Sequence, residues 1–473
     1  MTTAFVLAAA LAVDFGTETG KIRPELHSSG FGPTICSQTQ QDLEDVKSMG
    51  FAYARTHDWA LVNSNQRVCD YFHIFPLMHL DAKDPKNYVF GPTDYLLKRT
   101  REEAGLKVFY RLGTSIEHSG YRIHFNSLIP DDFDKMAEIF AGIIRHYNRG
   151  WADGFNWNIK YWEIWNEPEG HQNMWCPPEG TEGLKGQALE AKQAECRAKF
   201  VKFFVTVLKR LKDEFGDEIK VGGPALCALN TTWLNDILGA CKEAGVAPDF
   251  ISWHGYRNDP MDFFNEAEEG RKLLDGYGFA KCEMIVNEWH YFGYDDYNWN
   301  DMQRCSDPKV KARIWTGPRS HNGIHSACYT LATLASLQRS KLSQAYYYGC
   351  AHTGSWGFKD GNQAKYKVFH ALKLFGDLVK NHETICAGTA DGTNTAFAVK
   401  GADGRKSLLV VDYGGKDRDI SVEVKGVPVN AKPVCTVLDY THDLAEQPVS
   451  FKDGRLAIRK NDGNSAAFLV EFK

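Results

Sequence analysis

The decapeptide Ile159-Lys160-Tyr161-Trp162-Glu163-Ile164-Trp165-Asn166-Glu167-Pro168 decides how this chain is read. Its first seven residues are mostly aromatic or β-branched, the composition of a strand. Pro168 cannot donate to a strand ladder, so the run stops there and leaves Asn166 and Glu167 at its C-terminal end. A helical period precedes it, from Asp132 to Asn148, with apolar residues at Phe133, Met136, Ile139, Phe140, Ile143 and Ile144. Another follows from Ala198 to Phe215, with Phe200, Phe203, Phe204, Val207, Leu208 and Leu211. A strand between two amphipathic helices is the repeating unit of a wound α/β protein.

The same alternation extends in both directions. Strands are predicted at Leu26–Gly30, Phe51–Thr56, Lys107–Leu112, Ile159–Trp165, Ile219–Gly223, Phe250–Trp253, Met284–Glu288 and Ala345–Gly349, and a further helix at Ile324–Gln338. Eight strand–helix units predict an α/β fold of the (β/α)8 TIM-barrel type. An open doubly wound sheet is the alternative, but it carries a glycine-rich phosphate turn after its first strand. That place here holds His27-Ser28-Ser29-Gly30-Phe31-Gly32. After Lys380 the helical period stops and short alternating runs begin: Thr395–Lys400, Ser407–Tyr413, Ile420–Lys425, Val434–Asp439, Leu456–Arg459 and Ala466–Phe472. Turn signals such as Asp453-Gly454 separate them, as in an antiparallel β-sandwich. The expected organisation is an N-terminal strand in residues 1–20 joining the sandwich, a barrel over 21–380 and the sandwich over 381–473.

Composition narrows the function classes. The formal net charge is −5 and no basic block occurs, which argues against nucleic acid and against an anionic membrane as partners. No apolar run is long enough to span a bilayer. Ala4 to Val13 lacks a basic flank and reads as a strand rather than a signal peptide. The 12 cysteines show no Cys-x-x-Cys spacing, so no zinc ribbon is indicated and reduced thiols in a cytoplasmic protein are expected. Cys227, Cys241, Cys328 and Cys350 sit in apolar contexts and read as buried thiols.

Two glutamates carry the chemistry. Glu167 closes the fourth strand, and Glu288, in Val286-Asn287-Glu288-Trp289, closes the seventh. A barrel of this type places its active site at the C-terminal ends of its strands. Strands four and seven face each other across it, so residues 121 apart can meet. Two carboxyls on one rim are the equipment of glycosidic bond hydrolysis, one to protonate the leaving oxygen and one to attack or to activate water. A retaining mechanism needs them about 5–5.5 Å apart, with the pKa of Glu167 raised and that of Glu288 low. Arg55, His57, His254 and Tyr256 follow other strands and are candidates to line the site. Arg55 is equally suited to pair with a structural carboxylate inside the barrel. His27 and Trp356 are further candidates, and Trp59, Trp175 and Trp289 could floor outer sugar subsites. The insertions Ala60–Pro92 and Tyr291–Pro318 would wall the cleft. His73, His79, His321 and His325 are metal-ligand side chains, but no complete set of ligands emerges, so neither metal nor cofactor is expected.

The motifs also carry a resemblance. Tyr161 to Pro168 resembles the strand-four motif of clan A glycoside hydrolases, and Ile285 to Trp289 their strand-seven nucleophile segment. With Arg55-Thr56-His57, Gly222-Gly223-Pro224, Trp253-His254-Gly255-Tyr256 and the sandwich tail, the chain is most similar to glycoside hydrolase family 39, of β-xylosidases and α-L-iduronidases. The resemblance implies Glu167 as acid/base, Glu288 as nucleophile and Asn166 on the sugar 2-OH. It implies Tyr256 orienting Glu288, Arg55 keeping it ionised, and His57 and His254 lining the subsite. The iduronidase branch carries a Lys where this chain has Tyr256, so a neutral sugar is implied: a xyloside first, then an arabinosyl or galactosyl linkage of plant polysaccharide. A transglycosylase, or a non-catalytic carbohydrate-binding protein derived from a glycosidase, remains an alternative, and the oligomeric state stays open.

Overall fold

The computed structural model describes residues 11–30, 40–60, 67–115, 132–170, 175, 178–293, 317–349, 356–360, 362–390, 393–415 and 419–472. After an N-terminal strand, β1 (Leu11–Lys21), eight parallel strands close a barrel in chain order. They are β2 (Ser28–Ser29), β3 (Tyr53–Arg55), β4 (Lys107–Leu112), β5 (Tyr161–Ile164), β6 (Lys220–Leu226), β7 (Phe250–Arg257), β8 (Glu283–Tyr291) and β9 (Gln344–Tyr347). Helices pack around them. The helix Phe133–Arg149 starts where the Asp132 carboxylate accepts the Lys135 N–H and ends at Gly150, whose φ of 68° suits glycine. Its buried face is the predicted apolar stripe. The next long helix runs Gln187–Phe215, starting eleven residues before the predicted Ala198. That extra segment is rich in Ala, Glu, Lys and Gln, strong helix formers with little apolar periodicity to betray them.

The barrel interior is layered. Tyr53, Phe109, Tyr161, Phe250, Ile285 and Tyr346 form a closed apolar cluster of their own. Two residues further along each strand stand Arg55, Arg111, Glu163, Ser252, Asn287 and Tyr348. Strand side chains repeat every second residue, so these make the layer above, and it is polar. Gly222 is required where β6 meets β7, because a Cβ there would lie 2.0 Å from the Phe250 carbonyl oxygen.

The C-terminal residues form a mostly antiparallel sheet with a core separate from the barrel's. Its strands are β10 (Thr384–Gly388), β11 (Asn394–Lys400), β12 (Lys406–Asp412), β13 (Asp419–Lys425), β14 (Pro433–Leu438), β15 (Asp443–Gln447), β16 (Ser450–Lys452), β17 (Arg455–Arg459) and β18 (Ala466–Phe472). The hydrogen-bonded order is β15-β14-β18-β12-β11-β10-β1-β13-β17-β16, curled so that side chains from both halves face one core. β1 links the halves, antiparallel to β10 and parallel to β13. β15 and β16, which lack a strong apolar signal, are the two edges, where polar residues discourage pairing with other chains. Phe468 is fully buried in this core. Replacing Phe468 by Ala should cost about 3–5 kcal/mol, read as a lower melting temperature of the sandwich in calorimetry.

Candidate active site

Arg55, at the end of β3, is fully buried and divides its guanidinium three ways. Nε donates to Glu163 Oε2 at 2.7 Å, one terminal nitrogen to Glu288 Oε1 at 2.8 Å and the other to Asn166 Oδ1 at 2.8 Å. Glu163 Oε1 accepts from Ser252 Oγ and Asn287 Nδ2, both at 2.6 Å. The two readings of Arg55 from sequence are thus met by one side chain. Sequence reasoning passed over Glu163, although it shares its inward phase with Arg55, and a charged pair at matched strand positions was the available signal.

Glu288 has both oxygens held, Oε1 by Arg55 and Oε2 by the Tyr256 hydroxyl at 2.8 Å. His57 Nε2 lies 3.5 Å from Oε1. A register shift between β7 and β8 pairs Trp253 with Val286 but His254 with Glu288. That bulge re-aims the end of β8, so Asn287 and Glu288 both reach the interior contacts.

Glu167 arrives differently. Trp165 and Glu167 both have positive φ, 77° and 44°, a conformation costly for residues with side chains. Neighbouring strands hold the turn: the Trp165 N–H donates to the Leu112 carbonyl at 2.7 Å and the Glu167 N–H to the Ala225 carbonyl at 2.9 Å. The Glu167 carboxyl stays partly exposed, as a group meeting substrate must. His254 Nδ1 lies 2.9 Å from Glu167 Oε1 and 3.3 Å from Glu288 Oε2. The nearest atoms of the three side chains fall within 4.8 Å of one another.

The proton is distributed otherwise than the sequence argument required. Burial raises Glu288 above the usual carboxylate range; His254 and Arg55 pull it back only in part, and the charge of Glu167 adds to the rise. Burial pushes Glu167 the same way, but the His254 hydrogen bond and charge outweigh it and hold it below its ordinary value. His254 itself is raised: burial opposes its charge, and Glu288 and Glu167 overcome that. The directions are thus the reverse of the raised Glu167 and low Glu288 expected, with His254 favoured in its charged form between the two carboxyls. His57 is held well below its normal pKa, by burial first, and is neutral.

The structure gathers Arg55, His57, Asn166, Glu167, His254, Tyr256 and Glu288 into one cluster. Trp356 stands beside it, its ring 5.6 Å from Tyr256 and 5.2 Å from Tyr348. Four aromatic candidates lie elsewhere. His27 precedes β2 instead of ending it, stacks near Phe51 and Phe375, and bonds the Met49 carbonyl at 2.8 Å. Burial lowers its pKa to about 4. Trp175 packs against Trp165, Phe200 and Phe203. Trp289 points out of the barrel toward Phe263, Tyr329 and Tyr347, because it follows the inward Glu288 on the strand. Trp59 is fully buried. Of the histidines weighed as ligands, His325 bonds Ser465 Oγ at 2.8 Å and His321 stacks on His290 at 3.8 Å. Cys241 and Cys328 are buried, whereas Cys227 is half-buried and lies against Glu167. Cys350 and most of the insertion Tyr291–Pro318 fall outside the described residues.

No family model matches the chain. A β-xylosidase of Geobacillus stearothermophilus is 28% identical over 293 residues, covering 56% of this chain and 52% of that protein. The chain spans about half the length of the curated relatives it matches. A glucosidase of Croceicoccus marinus superimposes with a TM-score of 0.71 at 20% identity, covering 99% of both chains. A family 39 β-xylosidase of Caulobacter crescentus follows at 0.63 and 15%, covering 98% of this chain and all of that one. The chain is most like the family 39 glycoside hydrolases of clan A. At those identities the two structures speak to the fold alone.

Removing Arg55 tests the cluster without reference to activity. Arg55→Leu should destabilise the protein by about 3–5 kcal/mol, because Glu163 and Glu288 are left buried without their cation. Both carboxyls would then bind protons more tightly folded than unfolded. That contribution is present at low pH and lost as pH rises. The deficit in melting temperature against wild type should therefore be smaller at about pH 5 than at about pH 8.

Proposed function

We propose that the protein is a glycoside hydrolase that cleaves a glycosidic bond with retention, through a covalent glycosyl-enzyme. One observation carries the reading. Glu288 is fixed at both oxygens by Arg55 and Tyr256, with the Glu167 oxygen no more than 4.8 Å away. An inverting pair needs about 6.5–9.5 Å to seat a water between its carboxyls, and a retaining pair about 5–5.5 Å. In the first step Glu288 attacks the anomeric carbon while Glu167 protonates the departing oxygen. Ionised Glu288 keeps its negative charge through Arg55, and its burial makes it a strong base toward carbon. Asn166 is positioned by Arg55, and its Nδ2 is buried with no hydrogen-bond partner, a donor suited to a sugar hydroxyl. Once the ester forms, the charge on Glu288 is gone. Glu167, now ionised, takes a proton from water, which attacks the same carbon and releases the sugar with its configuration kept.

The substrate we infer is a neutral pentoside or hexoside of plant polysaccharide, a xyloside first and an arabinosyl or galactosyl linkage second. Arg55 and His254, the cations at the cluster, are already committed to Glu163, Glu288 and Glu167, which leaves neither for a uronate. The similarity to curated β-xylosidases supports the same choice.

A 2-fluoro aryl glycoside should label Glu288, and Glu288→Gln should abolish the labelling in intact-mass spectra; a label found on another residue overturns the assignment. Glu167→Ala should lower kcat by roughly 10²–10⁴ on substrates with poor leaving groups. With an activated aryl leaving group, added azide should restore turnover, because azide attacks the intermediate without a general base.

A further inference from the structure

The loop that presents Glu167 carries a second carboxyl that none of these roles uses. Glu169 follows Pro168, and its Oε1 accepts the Cys227 N–H at 2.6 Å from the loop after β6. Its Oε2 is sealed from solvent and has no hydrogen-bond partner. Among the described residues, the titratable groups that face it are Glu167, His254 and Cys227. An ionised carboxylate there would have lost its water, kept only the backbone N–H groups of Glu169 and Cys227 as donors, and met the charge of Glu167. Among the described residues the cation near it, His254, is already engaged by Glu167 and Glu288. Desolvation and a like charge act in the same direction, toward the neutral acid. Burial, followed by Glu167, indeed raises the Glu169 carboxyl to about 7. Cys227 is no competing acid: burial and the two glutamates raise its thiol, which remains S–H and donates to Glu167.

We propose that Glu169 is a positioning residue for the acid/base, holding a reserve proton beside Glu167 so that the two carboxyls titrate as a pair. This rests on reading Glu167 as the acid/base. With two adjacent carboxyls, the first proton lost and the last belong to the pair rather than to either residue. His254 favours losing the first from Glu167. The singly protonated pair still includes the form with the proton on Glu167 and the charge on Glu169. Acid catalysis persists through that form until the last proton leaves. A charge on Glu169 also makes Glu167 hold its proton more tightly. The alkaline limb of the rate profile is thus set by the pair, near neutrality, instead of by Glu167 under the pull of His254.

The test is the pH dependence of kcat/KM for Glu169→Gln on an aryl glycoside with a poor leaving group. Gln keeps an oxygen for the Cys227 N–H but has neither proton nor charge to contribute. The alkaline limb should move to lower pH by on the order of one unit, the size expected of a like charge a few ångströms away in a protein. With a dinitrophenyl glycoside, whose departure needs no proton, the shift in kcat/KM should vanish. If Glu169→Gln superimposes on wild type while Glu169→Ala departs from it, Glu169 only ties the two loops together and the inference is overturned. A shift that persists with the dinitrophenyl substrate also overturns it, because Glu169 would then act on Glu288 or on the fold. Wild-type protein that neither hydrolyses aryl glycosides nor takes a label on Glu288 sinks the underlying reading, and this inference with it. Melting temperatures of both variants show that they are folded.

Discussion

A single buried guanidinium organises the centre of the barrel. Arg55 touches Glu163, Glu288 and Asn166, and through Glu163 it reaches Ser252 and Asn287. A cation fully removed from water is tolerable only when its donors are matched by charge and geometry. Here the planar fork spends an arm on each of three acceptors, two of them carboxylates, which a lysine could not do. Apolar residues of similar volume would often fill such a place at no loss of stability. The arrangement is therefore better understood as serving a site. It fixes Glu288 to within a hydrogen bond's tolerance and offsets in part the rise that burial imposes on its pKa. Glu163 and Glu288 thus share one cation.

That sharing extends to protons. Arg55 and the His254 ring both contact Glu288, and His254 also contacts Glu167, so the proton affinities of Glu167, His254 and Glu288 are linked. Drawing the sugar over Glu167 would remove water and weaken its contact with His254, and both changes favour the protonated acid. The shifts of Glu167, His254 and Glu288 thus describe a balance among interacting groups, one that burial of Glu167 under a bound molecule would alter. Coupling of this kind also explains why sequence reasoning assigned each glutamate a fixed state. It treated the two as separate acids, whereas the proton belongs to the group that includes His254.

Periodicity made much of this architecture legible. The helix Phe133–Arg149 and the strand Lys107–Leu112 stand out because one face of each is uniformly apolar and the other is not. The rim carboxylates were legible because Pro168 halts one strand and because barrels place chemistry at strand ends. What stayed hidden depended on direction. Trp289 follows the inward Glu288 on β8 and so turns outward, whereas Trp175 lies past β5, where no strand periodicity applies, and packs against Trp165, Phe200 and Phe203. His27 was displaced by a shorter first strand, Ser28–Ser29, which left it at the opposite end from the site. Glu163 was masked by its own context, since a carboxylate inside an apolar run looks like an exception until its partner Arg55 is placed across the barrel. The edge strands β15 and β16 carry polar sequences because an exposed edge must discourage pairing.

The strained turn after β5 shows how the polar layer and the rim depend on each other. Positive φ at Trp165 and Glu167 costs on the order of 1–3 kcal/mol per residue, and within the turn the Gly170 N–H donates to the Glu167 carbonyl at 3.0 Å. Further compensation comes from the adjacent strands. Glu163 accepts from Ser252 Oγ, which accepts from the Ala225 N–H at 2.9 Å, and the Ala225 carbonyl accepts the N–H of Glu167. A continuous chain of hydrogen bonds therefore runs from the buried Arg55–Glu163 pair to the backbone of the partly exposed Glu167. On the far side of the turn, Glu169 ties the same loop to Cys227. Holding the turn at both ends limits how far the Glu167 carboxyl can move relative to Glu288. A barrel interior filled with apolar side chains could support the strands equally well. It could not pass a hydrogen-bonded constraint upward to the rim, and this is the physical reason the layer beneath the two glutamates is polar.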